Sequence, residues 1–337
     1  MYDLVINAPN VRAGGGFVLL ESILKHLDKT NLRCLLIANE LVRKRLARFN
    51  NIEIHYVSHS IYARLKNELY IKNIAKKVKK ILFFGNVPPV FNLKCETILY
   101  VQNAYIINNY SLNGFSLKQH IRLVIERLWF NFFYNNVDRF VVQTQSMKNL
   151  LQSKIDRNVE LLPFSDFAYI EKSSVVNVDF LYPSSGEPHK NHKNLIEAWV
   201  LLAKKGFFPE LHLTLDETNH QNLLLWLNDK VTHHSLKIKN IGHLKSHSEM
   251  LCLIKYSKCL IFPSLLESFG LPLIEAEYFS TPILAPELDY VRDVVKPHQT
   301  FDAHSPVSIC SAVLRFLNKE ENNSILQPEQ FINKVMM

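Results

Sequence analysis

The sequence predicts an α/β protein made of two doubly wound, Rossmann-like domains facing a central cleft. Three observations carry that expectation. The chain has 337 residues, and domains of roughly 100–200 residues make two the natural count. Short apolar runs of strand length alternate with helical patterns from end to end. Those strand runs are continuously apolar, as in parallel strands buried on both faces. With 47% hydrophobic and 21% charged residues, the composition excludes a disordered, collagenous or coiled-coil chain.

In the first half, DLVINAP reads as a strand, GFVLLESILKHL as a helix and LRCLLIA as a second strand, a βαβ unit. VKKILFFG, ETILYVQN and RFVVQT follow as further strands. The second half repeats the alternation. VDFLYPS precedes the helix HKNLIEAWVLLAKK, and ELHLTLDE and LKIKNIG enclose NLLLWLNDK. The helix SEMLCLIKYS, the strand KCLIFPS, the helix LPLIEAEYFS and the strand TPILAPE close the series. A polar stretch places a linker near residues 163–177, giving domains over 1–165 and 178–325, with a C-terminal helix over 326–337 packing back on the first. No run approaches the roughly 18 uninterrupted apolar residues of a spanning helix, and MYDLVINAP lacks the basic start and apolar middle of a signal peptide. The expected location is cytoplasmic. Cys34, Cys95, Cys252, Cys259 and Cys310 include no CxxC pair and read as reduced thiols.

Net charge is +8, unevenly distributed: residues 1–160 hold 23 Lys and Arg against 11 Asp and Glu, the rest 16 against 20. A basic first half suits an anionic partner, whether nucleic acid, lipid headgroups or a phosphorylated substrate, or else a solvated face. Within it, IAKKVKKILFF is lysine-rich, and LKQHIRLVIERLWFNFFY places Leu117, Ile121, Val124, Leu128 and Phe132 at helical spacing, near Arg122 and Arg127. Such a stripe is expected to face a core. The alternative is an amphipathic helix lying in an anionic membrane interface.

Two motifs fall at strand-to-helix turns, where open α/β sheets bind ligands. Gly14, Gly15 and Gly16 stand consecutively between the first strand and its helix. Side-chain-free backbone there brings N–H groups close to a phosphate, although a plain tight turn gives the same residues. No Lys-Ser/Thr follows, so this is not a Walker A loop. The second motif is FPSLLESFGLPLIEAEYFSTPILAPE, residues 262–287. Pro272 suits a first helical position, with Glu267 in the loop before it and Glu275 in the first turns after it. Carboxylates beside an anion make sense as acceptors for sugar and ribose hydroxyls, while the N–H groups of Phe269, Gly270 and Leu271 hold the charge.

Glu-x7-Glu in ESFGLPLIE, after a strand ending FPS and before TPILAPE, resembles the signature of family-4 glycosyltransferases of the GT-B fold. NIGHL with SEMLCLIKYS, and YPSSGEPHKNHKNLIEAW, resemble the family's donor domain in the same order. The resemblance implies a retaining hexosyltransferase that moves a hexose from a GDP- or UDP-sugar to a lipid-linked glycan acceptor in O-antigen or capsular polysaccharide biosynthesis. It makes Lys190 the lysine at the donor diphosphate, with Lys193 a competitor. Glu267 becomes the contact of the transferred sugar, Glu275 the ribose contact, and Gly14–Gly16 amides near the phosphates. The usual arginine before the lysine is replaced around Ser184 and Ser185, and the usual N-terminal histidine is replaced in YVQNAY, where Asn103 can still bond sugar hydroxyls but cannot act as a base.

The resemblance implies no cofactor, the nucleotide sugar being a substrate. It also implies no metal, although His189 with His192, His233 with His234, and His243 with His247 are pairs that a metal could use. The implied partners are the donor, a lipid-linked oligosaccharide and an anionic membrane surface at the inner face of the plasma membrane, and no nucleic acid. A nucleotide-sugar epimerase of similar architecture and a basic nucleic-acid-binding α/β protein are the alternatives.

Overall fold

The computed structural model describes residues 1–58, 60–166, 178–218, 220–242, 244, 246–319, 328 and 336. Most of the expected linker, the last residues of the expected second domain and nearly all of the helix expected over 326–337 lie outside the described residues, as does His243.

The first half runs β1 (Tyr2–Ala8), α1 (Gly14–Leu27), β2 (Cys34–Asn39), α2 (Arg43–Leu46), β3 (Glu53–Val57), α3 (Ile61–Ile74), β4 (Val78–Phe83), β5 (Glu96–Tyr100), α4 (Ala104–Ile107), α5 (Leu117–Phe133), β6 (Arg139–Val142), α6 (Gln145–Gln152) and β7 (Val159–Leu161). The second runs β8 (Phe180–Tyr182), α7 (His192–Lys204), β9 (Leu211–Leu213), α8 (Gln221–His234), β10 (Ile238–Asn240), α9 (His247–Tyr256), β11 (Leu260–Ile261), α10 (Leu271–Tyr278), β12 (Ile283–Pro286), α11 (Asp289–Arg292), β13 (Gln299–Phe301) and α12 (Pro306–Phe316).

The strands form two parallel sheets, ordered β3-β2-β1-β4-β5-β6-β7 and β10-β9-β8-β11-β12-β13. Each order reverses once, between β1 and β4 in the first and between β8 and β11 in the second, and such switch points open a crevice at the strands' carboxyl ends. Gly14–Gly16 follow β1, Lys190 follows β8 and Glu267 follows β11, so the topology delivers these motifs to the two crevices.

Burial explains the elements. All six residues of β2 are buried, as are all three of β8, because helices cover both faces of each sheet. On one face of the first sheet Phe17 and Leu20 of α1 pack with Leu46 of α2; on the other, Ile71 of α3 packs with Leu123 and Phe130 of α5 and Met147 of α6. Trp199 anchors the second core and donates from Nε1 to the Pro209 carbonyl at 3.0 Å. Phe269 and Leu271, though they belong to the second half, are buried within the core around Phe17 and Leu20. That insertion presses the two halves together directly at the ESFGL motif. Four of the five cysteines are buried and Cys95 is half-buried.

The core-facing expectation for the α5 stripe is overturned. Leu117, Ile121, Val124, Leu128 and Phe132 are all exposed, from 37% at Val124 to 76% at Leu117. The inward face is instead set by Leu123 and Phe130, with Arg127 donating to the carbonyls of Tyr105 at 2.6 Å and Tyr110 at 2.8 Å. Arg127 is thereby committed to holding the chain around α4.

Asn191 fixes the loop that carries Lys190. It adopts φ 61°, in the left-handed region that Asn tolerates better than most residues. Its side-chain amide donates to the carbonyls of Pro263 at 3.1 Å and Ala303 at 2.6 Å. Asn194 also reaches the Ala303 carbonyl at 3.1 Å, leaving Pro263 as the acceptor that relies on Asn191. Asn191→Ala is expected to lose about 2–3 kcal/mol, from an orphaned buried carbonyl and a strained left-handed Cβ, and Asn191→Gly about 1 kcal/mol less. Urea unfolding of the two variants checks this; equal losses would remove the backbone part of the explanation.

Candidate active site

Three of the residues singled out from sequence meet in one cleft between the halves, of about 290 Å³. Lys190 ends a 3-10 turn after β8, Glu267 lies in the loop after β11, and Asn103 caps α4 after β5. Lys190 Nζ and Glu267 Oε1 form an ion pair at 2.6 Å, their side chains only 17% and 13% exposed. Asn103 turns its own Oδ1 to the amide of Tyr105 at 3.0 Å, leaving its Nδ2 hydrogens as the donors it can offer. Two bonds across the halves close the cleft's floor. The Ala104 amide donates to Ser268 Oγ at 3.3 Å, and Thr144 Oγ1 donates to the Ser268 carbonyl at 3.1 Å.

The glycines are not a loop ahead of the helix, as expected, but its first turn, with Ala13 as N-cap. They nevertheless border the cleft's rim. A Cβ on Gly15 would meet Leu271 at 3.9 Å, and one on Gly16 would come within 3.1 Å of Gln102 Oε1. The absence of a side chain at Gly16 therefore has a packing reason. The second helix, α10, starts one residue earlier than expected, at Leu271, with Gly270 as its N-cap at φ 68° and Pro272 just inside. Phe269 and Leu271 side chains serve the contact between the halves, and the amides of this loop lie at the α10 start, where the helix dipole favours negative charge.

Lys193 and Glu275 sit apart from the cleft. Lys193 is exposed on α7 with Nζ 6.0 Å from the Trp226 ring of α8, so it does not join Lys190. Glu275 is 2% exposed, its Oε1 3.1 Å from Nε2 of His247 in a charge contact rather than an aligned hydrogen bond. Burial pushes its carboxyl above the usual range, with His247 partly opposing.

Sequence reasoning missed the aromatic wall. His189, beside Lys190, lines the cleft with its ring 5.5 Å from Tyr105 and 6.1 Å from Phe115 of the other half. Burial, with the neighbouring Lys190 adding to it, pulls the imidazole down to about 4, so it is neutral at pH 7. Burial, with Glu267 adding to it, pushes the Tyr105 phenol up to about 12, so it remains a donor. The adjacency of His189 to Lys190 in HKNH was the signal available for it. Its companion His192 is buried against Tyr182, at 4.9 Å between rings, and burial lowers it to about 3; it belongs to the core rather than to a ligand set.

A carboxyl raised by burial means the folded state holds its proton more tightly than the unfolded chain. Stability from that group is full below the ordinary carboxyl range and falls as pH rises above it. Without ligand, Glu275→Gln should therefore melt higher than the parent at pH 7–8, and the gap should close toward pH 4. Melting curves across that window check the sign; a variant less stable at pH 8 would show Glu275 to be well paired as an anion.

Comparison with known proteins bears on the same elements. Residues 172–332 match the model of glycosyl transferases group 1. The serotype-specific mannosyltransferase WbdA of Escherichia coli is 28% identical over 148 residues, 43% of this chain. That match spans 18% of the relative's length. Among solved structures, Anabaena Alr3699/HepE in complex with UDP and glucose agrees with a TM-score of 0.69 at 14% identity, over 94% of this chain and 90% of that one. The lipopolysaccharide outer core galactosyltransferase WaaB agrees with a TM-score of 0.62 at 13% identity, over 94% and 90%. With its two facing parallel-sheet domains the chain has the GT-B fold, and the half that carries Lys190 and Glu267 is the one similar to glycosyl transferases group 1.

Proposed function

We propose that the chain is a retaining hexosyltransferase, moving a hexose from a GDP- or UDP-sugar to a lipid-linked glycan in the synthesis of an O-antigen or similar surface polysaccharide. The observation that carries this reading is the Lys190–Glu267 pair at the mouth of the β8/β11 switch point, facing Asn103 across the cleft. Support for the donor comes from the UDP in the HepE complex, and for mannose and lipopolysaccharide chemistry from the names of WbdA and WaaB. In this reading the second half binds the nucleotide sugar and the first half the acceptor, at the inner face of the plasma membrane. No described helix is long and apolar enough to cross it.

The chemistry follows from the residues. A donor diphosphate takes the Lys190 ammonium, and its remaining charge meets the amides at the starts of α1 and α10. Glu267, released from Lys190, accepts hydroxyl protons of the sugar, with Asn103 and Tyr105 as neighbouring donors. Glu275 accepts from the ribose, and Lys193, exposed on α7, is the weaker candidate for a phosphate partner. The acceptor oxygen bonds to the anomeric carbon on the face from which the diphosphate leaves. The carbon–oxygen bond to phosphate breaks, and the acceptor's proton passes to the leaving phosphate oxygen. No side chain has to titrate as a base, which agrees with a cleft whose histidine is half-buried and neutral at pH 7.

Thermal shift against a panel of GDP-, UDP- and ADP-sugars identifies the donor, since a ligand of the folded state raises the melting temperature by mass action. With that donor, Glu267→Ala should lower transfer on the order of 10²–10³-fold while sparing nucleotide binding, whereas Glu275→Ala should weaken donor and free nucleotide alike. Normal transfer by both variants would remove these residues from the site. Transfer should also persist in EDTA; loss restored by a divalent cation would reinstate a metal. A product formed from the sugar nucleotide without any acceptor would favour the epimerase.

A further inference from the structure

We infer that the exposed faces of α3 and α5 form the surface by which this protein lies on an anionic bilayer. The inference rests on the reading of the acceptor as lipid-linked and says which face meets the lipid. On α5, Leu117, Ile121, Val124, Ile125, Leu128 and Phe132 are all exposed. At 100° per residue they fall within an arc of roughly 100°, the width of a stripe that ordinary helices bury. On α3, Tyr62, Leu65 and Leu69 are likewise at least half exposed. The two helices cover the same side of the first sheet, sharing a core through Ile71, Leu123 and Phe130. The segment Pro88–Val90 joins them, accepting from Trp129 Nε1 of α5 at 2.8 Å and donating to Glu68 of α3 at 3.0 Å.

Charge selects the occupant. Lys66 and Lys72 on α3 and Lys118 and Arg122 on α5 are exposed. The acids of these helices turn away: Glu68 takes the Val90 amide, and the Glu126 side chain is 14% exposed beside Arg122. Apolar side chains bordered by cations, with no exposed carboxylate between, match the acyl and headgroup layers of an anionic membrane. A second copy of the chain fits poorly, because a two-fold contact would set these cations against themselves. The end of α5 that begins at Leu117 also borders the cleft, where Gln119, Arg122 and Leu123 line its wall. A lipid-borne acceptor therefore has a short path from the bilayer to Lys190 and Glu267.

The lysines of IAKKVKKILFF lie elsewhere, and two of them are paired. Lys79 is paired with Asp3 at 2.7 Å and Lys80 with Glu96 at 2.8 Å, at the start of β4, the end of the sheet away from the cleft.

Flotation of the full chain with phosphatidylcholine vesicles, with and without phosphatidylglycerol, tests the surface. The parent should bind the anionic vesicles and do so more weakly as salt rises. Ile121→Gln combined with Leu128→Gln, both at exposed positions, should lower binding at least about tenfold. Lys79→Gln with Lys80→Gln should change it less than about twofold. Anionic binding unaffected by the glutamines, no binding by the parent, or a parent dimer that the glutamines dissociate would each overturn the inference. Transfer to a water-soluble acceptor in the absence of vesicles should be unchanged in the glutamine variant. Vesicle binding by a chain that engages no sugar nucleotide would sink the enzymatic reading and leave the membrane face standing.

Discussion

The contact on which the cleft depends is the ion pair of Lys190 and Glu267. An ammonium and a carboxylate so little exposed have each lost most of their hydration, and neither is tolerable there without the other. The pair also joins the loops that leave β8 and β11, the two strands flanking the switch point. Around it the framework is unusually well tied. The Tyr182 hydroxyl bonds the Lys190 carbonyl at 2.7 Å and Ser264 Oγ at 3.0 Å, and Tyr290 donates to the Ser264 carbonyl at 2.7 Å. Backbone and side chain of the two loops thus move as one unit. Under the proposed function, a diphosphate that captured Lys190 would leave Glu267 in need of donors, which sugar hydroxyls would supply. In the proposed reaction this exchange of partners would couple binding of the two ends of a sugar nucleotide, because an incomplete ligand would strand one poorly hydrated charge.

How much of this was legible in the sequence follows from where each strand sits. Interior strands such as β1, β2 and β8 are buried on both faces and announce themselves as apolar runs. β3 lies at a sheet edge with Glu53 and His55 turned outward, and β13, at the other sheet's edge, has three residues, so neither forms such a run. The α5 pattern shows a different limit. Helical spacing states that Leu117, Ile121, Val124, Leu128 and Phe132 share a face, but not which way that face turns. Leu123, Phe130 and the two carbonyls gripped by Arg127 decide it.

The site divides in the same way. Lys190, Glu267 and Asn103, which the resemblance singled out, each follow a strand, and the topology carries all three to the cleft lining. The packing of Tyr105 and Phe115 on His189 was not legible, since it joins halves separated by more than seventy residues and no local pattern encodes it. Glu275 was placed on the right turn of α10, yet its depth depends on His247 of α9, a contact between helices that spacing within either one does not reveal.

α5 links the two properties that a transferase with a lipid-borne acceptor, as proposed, would have to combine. Its inner face supports the acceptor side of the cleft, Arg127 holding the carbonyls of Tyr105 and Tyr110. Its outer face carries the apolar arc, and its first turns supply Gln119 and Arg122 to the cleft wall. A Ser116–Gln119 capping box pins the start of the helix where these roles converge. α5 thus connects the exposed arc to Tyr105, and through its ring to His189 and the Lys190 loop, by one helix rather than by a chain of surface loops. An apolar face in water is unfavourable for an isolated domain, and α5 carries one while its first turns touch the cleft.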